Sequence, residues 1–323
     1  MKKQLLLFAM ILLPLVASAE AVLIDGLYYY LIQNGKYAVV ANSTSYRTKT
    51  SVKIPETVKY DGITYDVTTI GEDAFKSCVK LKEIEIGKKV SVIEKNAFQD
   101  CSELNSLYIP GNVKRIESYA FSNLFHVPII TIENGIEYIG TGAFSFCSSI
   151  LEIQIPNSVS EIKSSAFASC QKLQKAILSE KITKISSSLF DYCPKLETVV
   201  IGSLVKEIES DVFKSCSALR DIYLYAKEVP SVNIYYSIFD KYAIYDITLH
   251  VPASSVNLYK EATPWKDCKN IVALEDADPS PTNIKLRESS IKKDNSIYDL
   301  NGHQVKQMKK GVYISKGKKI LVK

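Results

Sequence analysis

The chain has 323 residues, 46% of them apolar, which is enough for one to three domains with a real core; thirteen Gly and eleven Pro exclude a collagen-like or low-complexity chain. The net charge of +5 hides an asymmetry: residues 283–323 hold eleven Lys/Arg against three Asp/Glu, whereas residues 20–282 hold 27 against 32. A mildly acidic body argues against nucleic acid as a partner.

Residues 1–19 read as a signal peptide. Lys2 and Lys3 give a basic start, Leu5 to Val16 carries no polar or charged residue, and Ala17-Ser18-Ala19 fits a small-residue cleavage site. The run is too short to span a bilayer well, and no Cys lies near the cut to carry a lipid. The expectation is an exported protein, extracellular or on a bacterial cell surface. Residues 20–66 read as an N-terminal β cap. Leu27–Gln33 and Lys36–Ala41 flank Asn34-Gly35, and Val58–Tyr60 and Ile63–Val67 flank Asp61-Gly62, both strong hairpin signals. The tyrosines Tyr28, Tyr29, Tyr30, Tyr60 and Tyr65 would close the open end of whatever follows; the alternative is a binding patch.

Residues 67–224 repeat one sentence seven times. Phe75, Phe98, Phe121, Phe144, Phe167, Phe190 and Phe213 are 23 residues apart, with no insertion or deletion. Ile stands five residues before each, Val or Ile eight before, and Ile or Leu eleven after. A fixed period of this size signals a solenoid whose units bury their apolar sides only against neighbours. In Leu81-Lys82-Glu83-Ile84-Glu85-Ile86 the apolar residues alternate with polar ones, which is a strand with one face buried. Gly87, Pro110, Pro156 and Gly202 end their strands. A second extended piece follows (Val90–Ile93), then a tight turn carrying Ala97-Phe98 and Cys101. Twenty-three residues are too few for a strand, a long helix and two loops, so strands are expected on one side and short turns or 3₁₀ pieces on the other.

The pattern Leu-x-x-Ile-x-Ile-Pro-x-x-Val-x-x-Ile-x-x-x-Ala-Phe-x-x-Cys, clearest in Leu104–Phe121 and Ile150–Cys170, resembles the BspA-like leucine-rich repeat family of bacterial surface proteins. Asp25–Pro55 and Ile247–Leu274 resemble that family's caps. The chain lacks the Asn ladder of ordinary leucine-rich repeats; Lys89 stands at that place in the first copy. The resemblance implies a curved, β-rich leucine-rich-repeat solenoid with a strand-lined face. It also implies surface display and binding of host proteins, glycans or other cells.

Six of the seven Cys (Cys78, Cys101, Cys147, Cys170, Cys193, Cys216) stand three residues after the repeat Phe. Equivalent positions on neighbouring strands lie ~4.8 Å apart, within disulfide reach. However, ladder side chains point the same way, and Leu124 fills the slot in the third copy. Buried, reduced thiols acting as small apolar groups are therefore expected. No C-x-x-C pair suggests a metal. His126, His250 and His303 have no nucleophile suggested by spacing, and no phosphate loop, G-x-S-x-G or H-E-x-x-H occurs. No catalytic, cofactor or metal residues are assigned, and the chain reads as no enzyme.

After Leu224 the register breaks. Residues 225–274 read as an irregular last rung and C-terminal cap: Phe239 and Ile247–Pro252 form the rung, Ala253–Ala262 a short helix, and Trp265 packs against them. Residues 275–284 are an acidic, Pro-containing linker, and 285–323 a basic tail with strand-like alternation. Ile297–Val305 and Lys310–Lys323 resemble the sorting tails of proteins exported by the type IX secretion system, which implies that export machinery is a partner at both ends. The alternative is a small β-module touching the envelope through its Lys residues.

Ligand contact is expected on the residues that flank the first buried position of each strand. These are Glu83 and Glu85, Ser106 and Tyr108, Ile129 and Thr131, Glu152 and Gln154, Lys175 and Ile177, Thr198 and Val200, and Asp221 and Tyr223. Ile177, Val200 and Tyr223 would form an exposed apolar column, placing binding toward the C-terminal rungs; ordinary strand propensity is the other account of them. The favoured function is a secreted or surface binding and adhesion protein recognising an unidentified protein or glycan. The rival is a secreted enzyme, or enzyme accessory, using the solenoid for recognition.

Overall fold

A computed structural model describes residues 20–232, 237–240, 243–275 and 279, and the backbone of four strands between 297 and 322. The signal segment, most of the linker and the side chains of the tail lie outside the described residues. The tail strands Ile297–Asp299, Gln304–Val305, Gly311–Ser315 and Lys318–Val322 form one antiparallel sheet.

Each 23-residue copy is one three-sided turn of a β-solenoid with about nine turns. The first side is a stack of parallel strands in three sheets: Ser51–Lys53 with Glu83–Glu85, Leu107–Ile109 with Ile130–Ile132, and Glu152–Gln154 onward through Thr248–Val251 to Asn270–Ala273. Its inward residues, such as Ile153 and Ile155 or Val199 and Ile201, are buried. The second side is a ladder of two-residue strands, Val92–Ile93, Arg115–Ile116, Tyr138–Ile139 and onward, in which the Ile points inward.

The third side is the turn. Residues two before and two after each Phe all have positive φ: Asp73, Asn96, Tyr119, Gly142, Ser165, Ser188 and Asp211, and Ser77, Asp100, Asn123, Phe146, Ser169, Tyr192 and Ser215. Two left-handed residues bend the chain sharply enough to drive the Phe between them inward. Each Phe N–H donates to the next turn, as Phe98 to Ala120 (2.8 Å) and Phe144 to Ala166 (2.9 Å), so this side is also a hydrogen-bonded ladder.

The Phe rings form one continuous stack, with centroids 5.1 to 6.2 Å apart from Phe75 to Phe213. Tyr46, from a 3₁₀ turn over Thr44–Thr48, closes the first end at 4.9 Å from Phe75. Phe239 extends the other end, and the ring of Trp265 meets it edge-on at 6.1 Å. The Trp cap is as expected; Tyr46 was not among the tyrosines expected to cap, of which Tyr29 and Tyr65 are buried and Tyr30 and Tyr60 exposed. Both predicted hairpins form: Leu27–Ile32 pairs with Tyr37–Val40, and Thr57–Tyr60 with Ile63–Ile70. The C-terminal lid is a 3₁₀ turn (Ala253–Ser255), the helix Val256–Glu261, and the last strand of the first side, Asn270–Ala273.

The six ladder cysteines are free and buried. Five of them donate S–H to the carbonyl of the Phe in the preceding turn: Cys101 to Phe75 (3.2 Å), Cys147 to Phe121 (3.3 Å), Cys170 to Phe144 (3.5 Å), Cys193 to Phe167 (3.2 Å) and Cys216 to Phe190 (3.1 Å). The slot therefore takes a weak donor as well as a small apolar group. Burial pushes the Cys78 thiol up to about 11 and that of Cys147 up to about 12.

Candidate functional site

The strand-lined face is uneven, and not in the way the sequence suggests. Glu83, Glu85, Ser106, Tyr108, Ile129, Thr131, Glu152 and Gln154 are exposed; Lys175, Thr198, Asp221 and Tyr223 are half-buried. Ile177 is 7% and Val200 0% exposed, so the expected apolar column at the C-terminal rungs is not on the surface. Val200 is held in register between Ile177 and Tyr223, and the Tyr223 ring itself stacks on His250 at 4.1 Å. At the same end the Tyr225 hydroxyl donates to the Pro279 carbonyl at 3.0 Å, so the chain beyond the last rung comes back to this side. Distant contacts of this kind leave no mark in the local period.

The open part of the face lies at the other end. The ladder pairs Ser51–Lys53 with Glu83–Glu85, and Leu107–Ile109 with Ile130–Ile132, but among the described residues no strand pairing joins these two sheets. Where they part, a cleft of ≈840 Å³ opens, lined by Lys53, Ile84, Glu85, Tyr108, Pro110, Asn112 and Glu133 among others. Gly87 forms part of its wall, and a Cβ there would stand 2.7 Å from the carbonyl oxygens of Ile54 and Pro55, so only Gly lets the two turns approach.

Tyr108, 51% exposed, is the aromatic group of this cleft. Partial desolvation, and a hydrogen bond donated to the Glu133 carboxylate, push its phenol up to about 12. Glu133 Oε2 also accepts from Gly111 N–H (3.4 Å), and Lys53 pairs with Glu85 at 3.0 Å. The cleft thus offers an apolar floor, one ring and paired charges that can exchange partners with a polar ligand. Glu85 and Tyr108 were legible as face residues. Lys53 and Glu133 were not, because they come from strand pairing and from a turn.

The other polar grouping is at the far end, where His250 Nε2 lies 2.9 Å from Asp221 Oδ1. An imidazole and a carboxylate are paired there, with the Tyr223 ring stacked on the imidazole. Among the described residues no cluster of His, Cys, Asp or Glu could hold a metal, and no helix is long and apolar enough to cross a membrane.

Residues 50–173 and 143–271 match the family described as BspA type leucine-rich repeat region, in six copies. No curated protein matches the chain. Among solved structures, a leucine-rich repeat protein from Bacteroides ovatus is similar, at 21% identity over 79% of this chain and 77% of that one, with a TM-score of 0.56. The T. pallidum leucine-rich repeat protein is similar at 25% identity over 62% of this chain and 91% of its own, with a TM-score of 0.55.

Proposed function

Because this chain belongs to the BspA-type leucine-rich repeat family, we propose that it is a non-enzymatic binding protein, exported to the cell surface or beyond, that recognises a protein or glycan on its strand-lined face. The observation that carries the reading is the open cleft around Tyr108, where the ladder parts and leaves an aromatic ring half exposed. Aromatic anchors that become fully desolvated in the complex dominate interface energies. The backbone around this one is fixed by neighbouring rungs, so little ordering is lost on binding. The rest of the exposed face, from Glu83 to Gln154, would supply the polar rim.

The test is an array of extracellular-matrix proteins and glycans probed with the full chain and with Tyr108→Ala. The expected result is at least one ligand held by the wild type and weakened about tenfold or more by the substitution, the loss of one aromatic anchor. Thermal stability should barely change, because the ring is exposed. A ligand bound equally by both proteins would move the site off this cleft; a chain that holds nothing on such arrays would overturn the reading.

A further inference from the structure

The turn edge of repeats 4 to 6 differs from that of repeats 1, 2 and 7 in both charge and aromatic content, and the intervening turn Glu117–Leu124 of repeat 3 shares its character, with one charge (Glu117) and the exposed Tyr119. The turns Gly71–Cys78, Glu94–Cys101 and Glu209–Cys216 each carry three charged residues. The corresponding turns Gly140–Cys147, Lys163–Cys170 and Ser186–Cys193 carry none, one (Lys163) and one (Asp191). In place of charges they present Ser, Thr and two aromatic residues, Phe146 and Tyr192. These two rings are 51% and 58% exposed.

Both residues hold left-handed backbone, with φ of 58° and 59°. Bulky side chains avoid this region, and the same column elsewhere is filled by Ser77, Asp100, Asn123, Ser169 and Ser215. The third bulky left-handed residue, Tyr119, has a packing reason: its ring covers Gly142, where a Cβ would stand 2.3 Å from its Cε1. For Phe146 and Tyr192, among the described residues, neither ring stacks on another or makes a side-chain hydrogen bond. Strain held in place by the surrounding fold, under rings that stay half exposed, points from conformation toward function.

The fold fixes the distance between the rings. They occupy the same repeat position two turns apart, and at the adjacent Phe stack those turns advance by 5.4 and 6.0 Å, about 11 Å in all. Their backbones are pinned: Phe146 N–H donates to Ala168 and Tyr192 N–H to Lys214, at 2.8 and 2.9 Å, and Gln171 Nε2 donates to the Tyr192 carbonyl. Ser148, Ser169 and Gln171 lie on the strip between them. Two preset aromatic platforms, neutral hydroxyl and amide groups between, and almost no charge match an uncharged, extended, hydroxyl-rich chain. In a β-linked polysaccharide alternate sugars turn the same apolar face outward at a comparable spacing.

We propose that the turn edge of repeats 4 to 6 is a binding strip for a neutral β-linked polysaccharide, with Phe146 and Tyr192 each stacking on alternate sugars. It is a surface separate from the Tyr108 cleft. The test is native affinity electrophoresis of the full chain in gels containing soluble mixed-linkage β-glucan, with polygalacturonate as the charged comparison. The wild type should be slowed by the β-glucan and not by polygalacturonate. Phe146→Ser and Tyr192→Ser, which install a residue the column already uses, should each weaken retention about tenfold, with melting temperature unchanged or raised. Tyr192→Phe should retain binding, since only the ring face is needed. A wild type that is not slowed by the β-glucan, or serine variants slowed as much as wild type, would overturn the proposal. If the chain ignores β-glucans but binds an array ligand through Tyr108, the strip falls and the cleft reading stands.

Discussion

Phe144→Ala puts the ring stack to the test as the element that carries the fold. Phe144 has no exposed surface, and its ring lies 5.6 Å from Phe121 and 5.4 Å from Phe167, each 5° from parallel. The space it leaves cannot close easily, because the turns on either side are locked by Phe121 N–H to Ala143 and Phe144 N–H to Ala166. A buried Phe→Ala change costs about 3–5 kcal/mol, and a site that resists collapse falls at the upper end. The lost stacking on two partners adds to it. With a urea m-value of about 3 kcal/mol/M, the unfolding midpoint should drop by more than about 1 M. Equilibrium unfolding followed by far-ultraviolet circular dichroism measures this, with Phe144→Leu as the milder companion expected to lose less than half as much. A midpoint and slope identical to wild type would refute the stack as the source of stability.

Three further outcomes follow from the same structure. In denaturant without reductant all seven cysteines should titrate as free thiols, while the native chain should react slowly at pH 8; a single reactive thiol in denaturant would mean three bridges. Burial raises the Cys78 thiol to about 11, and those of Cys147 and Cys268 and the Tyr46 phenol to about 12, above their unfolded values of 9.0 and 10.0. The folded state thus holds more protons, its stability is fully present below pH 9, and it should fall steeply as pH rises toward 12; a flat alkaline limb in pH-dependent melting would contradict this burial. Trp265 is the sole Trp and is buried, so native emission should be blue-shifted; Trp265→Ala should cost about 3–5 kcal/mol. Trp265→Phe should cost far less, because among the described residues Nε1 has no hydrogen-bond partner to lose, and equal losses for both would dismiss the edge-on contact with Phe239.

The sequence carries the fold almost completely, because a solenoid's contacts are copies of one local contact. The 23-residue spacing places the ladder Phe, Ile and Cys inside, as observed. Part of the left-handed column was also visible in principle: six of the fourteen are Asp, Asn or Gly, the residues that tolerate that region, and five more are the small Ser. The site was less legible. Tyr108 and Glu85 follow from strand alternation, but the parting of the ladder that makes a cleft beside them depends on how two particular turns approach each other. Ile177 and Val200 alternate as surface residues should, yet lie buried at the end where Tyr225 meets Pro279, a contact between residues 54 apart in sequence. Periodicity speaks for neighbours within a repeat and is silent about the chain's own return.

The two ends of the ring stack are built differently, with Tyr46 lying flat on Phe75 and Trp265 standing edge-on to Phe239, while every ring between them meets another copy of itself. A gene encoding such a chain can gain or lose a whole unit by unequal recombination without disturbing either terminus. The same event would move the cleft, in repeats 1 to 3, nearer to or farther from the aromatic edge in repeats 4 to 6, if the new unit fell between them. Copy number would then act as a ruler, setting how far apart two ligands are held on one molecule while leaving each site's chemistry untouched.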